Sequence, residues 1–352
     1  TTTPGAEPSS SSARSTLIDT LKIVASQLIL WHHLSVYSPM AQQLEQDSPA
    51  LFGFLFEQGR LVVQCFLVMA GFLAARAALT GRDVPLGQAI VSRYLRLAPQ
   101  FVVALLLVVL VTAGVQPFYQ PPWMSELPSL WVFMAHVFML QDILNVPALS
   151  AGAWYVAIDF QLYVSFALLL WLLPRQPSHA PHTVGVVAVA ALTAASWWGF
   201  NRMDAWDIWA LYFWGAYGLG VLAAWSRDSR WAGRLFGVLV VLLVVDAILD
   251  FRSRPVLAAL TALALWAIGE RDVLPGCLRT AWGVLSEASY AIFLVHFAVI
   301  LCASAVWSVS SFQDTRWAWL FAMVTWVLSV MLGLAVNRWV KTPKAWAGAL
   351  RG

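Results

Sequence analysis

Apolar residues in this chain neither alternate with polar ones nor recur at the spacing of a single helix face. They run on with little polar interruption, as in Phe101–Val115 and Phe236–Val245. Strands of a transmembrane barrel would read as alternating segments of about ten residues, so the pattern predicts helices. Dividing the chain at Pro, Gly and charge clusters gives ten candidate spans, approximately 17–37, 60–79, 98–115, 154–173, 183–200, 206–225, 234–250, 255–270, 282–305 and 317–338. An eleventh apolar piece, Leu127 to Leu144, is shorter and carries His136, Gln141 and Asp142; it reads as re-entrant or interfacial. The expected fold is all-α, a polytopic transmembrane bundle of about ten spans with that one short extra helix.

The flanks differ in kind. The opening run TTTPGAEPSSSSARST is almost free of apolar residues, cannot offset the entropy of ordering, and reads as a flexible tail over 1–16. It lacks the basic start and short apolar core of a signal peptide, and the first apolar stretch, interrupted by Lys22, His32 and His33, reads as a retained span. Residues 17–343 form the membrane domain and 344–352 a second tail.

Composition and charge sharpen this picture. Of 352 residues 60% are hydrophobic and 11% charged, against roughly 25% charged in soluble domains, and the mean hydropathy is +0.73. A soluble protein is excluded. The net charge of +3 is too small to imply nucleic-acid binding. With the amino terminus in the cytoplasm, the outer positions hold only Arg60, Arg202, Arg252, Arg254 and Arg316 of the 21 Lys and Arg, the bias expected of cytoplasmic loops. Counting the 127–144 piece as a span would reverse every later loop, so ten spans with both ends inside fit best. The three cysteines have no metal-like spacing, and neither a disulfide framework nor a metal site is expected. Trp123, Trp154, Trp206 and Trp317 fall near span boundaries as an interfacial belt.

Ionisable residues within spans are costly and mark candidate function. Lys22 and His33 are 11 residues apart, which brings them within about 20° on a helix and separates them by about 16 Å. One face of the first span thus links the inner boundary to the outer third; His32 lies about 80° away from Lys22 and ranks below His33. Arg93 and Arg96 stand one turn apart before the third span, where arginine forks suit phosphates. Asp159, with Tyr163 four residues on, and His296 fall at depths comparable to His33. Lipid anchoring for the basic residues and helix-to-helix hydrogen bonding for the others are the plainer readings of each taken singly. Gln64, His136, Asp142 and Asp246 are weaker candidates of the same kind, and Ser286 lacks the context of a nucleophilic serine.

Taken in order, these residues resemble the acyltransferase-3 family of integral-membrane acyltransferases. IDTLK with His33 fits an Asp-x-Leu-Arg stretch followed by His, Lys22 standing for Arg. Gly71-Phe72-Leu73 fits Ser-Gly-Phe-Leu with Ala70 for Ser, Arg93-Tyr94-Leu95-Arg96 with Pro99 fits a paired-Arg motif, WYVAIDFQLY fits an element in which Asp159 replaces Glu, and SYAIFLVH fits a closing Ser-Tyr/His element. The match runs from about Ile18 to Pro343, with the substitutions of a divergent member. The resemblance implies transfer of an acyl group, most often acetyl, from acyl-CoA to a hydroxyl of a cell-surface or exported glycan, in a bacterial inner membrane. It implies donor binding by Lys22, Arg93 and Arg96, and catalysis by His33 oriented by Asp159 or His296, a transient acyl-His being less favoured. Tyr163, Tyr290 and His136 are candidate substrate-binding residues. Partners are acyl-CoA, a carbohydrate acceptor and membrane lipid, with oligomeric state open. A transporter or translocase of a lipid-linked sugar is the rival class, although no matching halves are evident.

Overall fold

The computed structural model describes residues 15–80, 84–173, 181–269 and 275–340. Of the expected first tail only Ser15 and Thr16 are described; the second lies outside the described residues. The elements are helices throughout, with no strand among the described residues: α1 Thr16–Tyr37, α2 Ala41–Asp47, α3 Pro49–Gln58, α4 Val63–Thr80, α5 Leu86–Val115, α6 Leu130–Val137, α7 Ala153–Leu172, α8 Thr183–Trp198, α9 Ala210–Trp225, α10 Arg230–Leu249, α11 Ser253–Ile268, α12 Gly276–Val309 and α13 Thr315–Trp339. A 3-10 turn at Gly59–Val62 joins α3 to α4.

Each of the ten expected segments is helical. Seven helical stretches among the described residues are long and apolar enough to cross a membrane, and with the family identified below they make this an integral membrane protein. The remaining three segments correspond to α1 and to the shorter apolar helices α9 and α11. Length and apolarity alone do not place these three across a bilayer, so they support the bundle and leave the count of ten open.

Local sequence sets the element ends. Ser15 caps α1, its Oγ accepting from the Ile18 amide and donating to the Gly269 carbonyl. Ser129 caps α6, Ser229 α10 and Asp314 α13 in the same way, satisfying amides that the first turn leaves without partners. The 127–144 piece contains the short helix α6, then doubles back through Met139, whose φ is 58°. The Tyr94 hydroxyl of α5 donates to the Val137 carbonyl at 3.1 Å, which ties the end of α6 to the helix that carries the paired arginines.

At the centre stands α9, buried at every residue except Leu211. Lipid offers no hydrophobic drive for helices to associate, and small residues that let backbones approach take its place. A Cβ on Gly71 of α4 would fall on the Tyr217 carbonyl of α9, and one on Gly220 of α9 would fall on the Val68 carbonyl of α4. Glycine in the Gly-Phe-Leu motif is therefore a packing requirement.

A second seam joins α1 to α12, which run parallel. Ser286 Oγ donates to Asp19 Oδ1 at 2.5 Å, Trp282 Nε1 donates to Thr20 Oγ1 at 2.9 Å, and His33 meets His296 farther along. From α13, Trp326 Nε1 donates to Gln27 Oε1 at 2.7 Å.

Gly71→Ala and Gly220→Ala are each expected to destabilise the protein by about 1–3 kcal/mol, the range for overpacking a filled interior. The same change at Gly237 on α10, where a Cβ meets open space, is expected to cost nothing. Melting temperatures of the detergent-solubilised variants compare the three.

Candidate active site

The deepest polar contact couples two histidines from distant parts of the sequence. His33 on α1 and His296 on α12 are 6% and 0% exposed, and His33 Nδ1 lies 2.6 Å from His296 Nε2. Their tautomers follow from the outer partner. His296 Nδ1 faces the Ile292 carbonyl at 3.3 Å, and a carbonyl only accepts, so that nitrogen carries the hydrogen. His296 Nε2 therefore offers a lone pair and accepts from His33 Nδ1, which leaves His33 Nε2 unprotonated. A neutral imidazole with its basic nitrogen free and its other nitrogen anchored is the arrangement a general base requires.

His33 lines a cavity of about 820 Å³, bounded by α1, the α3–α4 junction, the segments that lead into α7 and α9 with the first turns of those helices, Arg254 and Phe293. His32 lines it too, its Nδ1 donating to the Leu55 carbonyl at 2.8 Å. Helix periodicity alone turns His32 away from Lys22, but the cavity is wide enough to meet both imidazoles.

Asp159 does not join His33. Its Oδ2 accepts from Arg93 Nη2 at 2.6 Å, and the Arg93 guanidinium lies over the Tyr163 ring, 5.1 Å from its centroid. Asp159 as the residue orienting His33, and Arg93 as a free phosphate ligand, are both corrected by this pairing; His296 holds His33 instead. Trp154 and Tyr155 in the first turn of α7 line the cavity, whereas Asp159, one turn after Tyr155, is turned to the Arg93 guanidinium of α5. The Asp159 side chain is 5% exposed and that of Arg93 19%, while Asp159 Oδ1 and Arg93 Nε have no hydrogen-bond partner among the described residues.

Arg96 follows one turn later with an exposed side chain. Lys22 is half-buried on α1, and α12 packs against both α1 and α5. The expected single passage from the arginines to His33 is not continuous here: the cavity floor stops at Tyr155 and Ile158 and includes neither arginine. Tyr290 donates to the Leu97 carbonyl at 3.3 Å, and neither it nor Tyr163 lines the cavity. His136 is a pin for the α6 segment rather than a cavity group. Its Nδ1 donates to the Val132 carbonyl at 2.9 Å and its Nε2 accepts from the Leu149 amide at 3.2 Å, which uses both ring nitrogens.

Tyr155 is the cavity residue that sequence reading missed. It sits four residues before Asp159 as Tyr163 sits four after, so one stripe of α7 carries all three. That stripe was visible in the sequence. Asp204 and Asp207 also line the cavity; Asp204 falls in an expected loop, while Asp207, an ionisable residue at the start of the expected span 206–225, was a signal passed over.

A buried histidine pair, one member of which lines a cavity, is the geometry this helical membrane protein presents. The family model described as an acyltransferase domain matches residues 16–336; the chain belongs to that family, the acyltransferase-3 proteins. Among curated proteins it is 31% identical over 186 residues to "Regulator of hypoxia-inducible factor 1" of Caenorhabditis elegans, a match covering 47% of this chain and 36% of the relative. The chain thus spans about a third of that relative's length. No solved structure matches.

Replacing Arg93 by Met leaves the Asp159 carboxylate without its cation and is expected to cost about 3 kcal/mol, the low end for breaking a buried pair, because Arg93 is partly exposed. The double change Arg93→Met with Asp159→Leu should recover most of that loss. Thermal unfolding of the purified variants reads it, and equal losses in the single and double variants would show that the pair is not the source.

Proposed function

We propose that this protein transfers an acyl group, acetyl in the simplest case, from acyl-CoA to a hydroxyl of a cell-surface or exported glycan. The observation that carries the reading is the tautomer logic of the histidine pair: His33 Nε2 is the free lone pair at the cavity wall, and His296 fixes it there. The acceptor oxygen attacks the thioester carbonyl while its proton passes to His33 Nε2. The C–S bond then breaks, and the proton moves from His33 to the departing thiolate, giving the O-acyl product and free CoA thiol. His296 keeps Nε2 directed at the acceptor and takes a stronger hydrogen bond from the imidazolium while it exists.

Donor binding is assigned to the inner side, where Arg96 is exposed and Arg93 partly so. Arg93 is held by Asp159 in this structure, so a pyrophosphate reaching it has to compete with that carboxylate or meet the outward edge of the guanidinium. Arg96 and Lys22 are the simpler anchors. Orientation with both termini cytoplasmic rests on the cation bias of the loops, and a bacterial inner membrane on the family resemblance.

Purified protein given acetyl-CoA and a glycan extract should release CoA thiol in an acceptor-dependent way. His33→Ala is expected to lower that rate by about 10²–10⁴-fold, the span of general-base contributions. His296→Ala should lower kcat with little change in the KM for donor. Undiminished thiol release from His33→Ala would remove His33 from the chemistry, and accumulation of a glycan across vesicles without thiol release would point to transport instead.

A further inference from the structure

The cavity carries more polar chemistry than proton transfer needs. The Gln64 amide on α4 and the Tyr155 hydroxyl on α7 line it with 5% and 8% exposure, and neither has a hydrogen-bond partner among the described residues. Both groups border the cavity with hydrogen-bonding capacity that no described residue takes up, so both are suited to a ligand that brings hydroxyl groups. Trp154, Tyr212 and Phe213 supply apolar faces to the same space.

One wall is acidic. Asp142, just after α6, and Asp207, just before α9, both line the cavity and lie close enough for their charges to interact. Burial first, and the Asp207 charge after it, push the Asp142 carboxyl above the usual carboxylate range, although the Gln141 amide donates to it at 3.0 Å. Neither aspartate forms an ion pair with another described residue. Glu57 and Asp204 also line the cavity, against the cations Arg60 and Arg254, and Arg254 is bonded to the Tyr212 hydroxyl at 2.7 Å. Carboxylates outnumber guanidinium groups around an open, water-accessible space.

We infer that this cavity is the acceptor subsite, and that its acceptor is a saccharide bearing a protonated amine. The inference rests on the acyltransferase reading for the role of the site. Ring hydroxyls meet Gln64 and Tyr155, the ammonium group lies between Asp142 and Asp207, and one hydroxyl is presented to His33 Nε2. A carboxylate or phosphate on the same ring would meet like charge on that wall. The volume falls within the range of small-molecule sites and accommodates one or two sugar rings.

The test is calorimetric binding to the full chain in detergent, without donor, of three disaccharides: glucosamine, N-acetylglucosamine and galacturonate. The glucosamine disaccharide should bind at least about tenfold tighter than the N-acetylated one, the scale of a charge-assisted hydrogen bond, and the galacturonate one more weakly than either. D142N/D207N should bring the first two to near parity, and Gln64→Ala should weaken both. Equal affinity for all three, preference for galacturonate, or an undiminished glucosamine preference in D142N/D207N would overturn the proposal. Should the double variant fail to fold, the order of affinities in the unaltered protein decides. Binding of the glucosamine disaccharide with no thiol release from acetyl-CoA would sink the acyltransferase reading and leave the subsite; thiol release with another acceptor and no glucosamine binding would do the reverse.

Discussion

Two imidazoles joined at 2.6 Å have one hydrogen between them, and its position is dictated by the Ile292 carbonyl beyond. That constraint makes the site directional. His33 is left with a basic nitrogen and no carboxylate bonded to its ring, since its partner is His296, which suits a group inside an apolar bundle, where an ion pair would bring a large desolvation cost. The seam between α1 and α12 exists to keep this register. Asp19 with Ser286 and Thr20 with Trp282 lock the inner end of the two helices, and the histidine bond locks them farther out.

The other buried charges follow the rule that a polar group in a membrane interior needs an internal partner. Arg93 and Asp159 neutralise each other, and the Tyr163 ring covers the guanidinium. Asp246 is held by Arg202 and Arg252, and Trp198 donates to it at 3.1 Å. Pairing is incomplete in places away from the cavity, as at Asp159 Oδ1, Arg93 Nε and the Tyr217 hydroxyl; what sets the cavity apart is that Gln64 and Tyr155 border open space.

The helices were legible because a bilayer demands long apolar runs, and every expected segment is helical in the structure. The short helix α6 was legible for the complementary reason: the 127–144 piece is too short and too polar to form a membrane-length helix. Gly71 was visible as part of a motif, though its reason, the approach of the Tyr217 carbonyl, belongs to packing. Partner choice was not legible. His33 and His296 are 263 positions apart, and nothing in periodicity favours that pair over His33 with Asp159. Similar depth does not decide partners: Arg93 reaches Asp159 from α5, and His296 reaches His33 from α12. His136 looked like a ligand for a related reason: sequence shows a polar ring in an apolar run but not the Leu149 amide and Val132 carbonyl that occupy it.

The bond from Tyr94 to the Val137 carbonyl has a mechanical corollary. Tyr94 stands between the two arginines on α5, and Val137 ends the helix whose returning chain carries Asp142 to the cavity wall. The helix that carries the paired arginines and the loop that shapes the cavity wall are tied by one hydroxyl. A displacement of α5 along its axis would tug that hook, so the arginine region and the cavity share a linkage through protein although neither arginine lines the cavity.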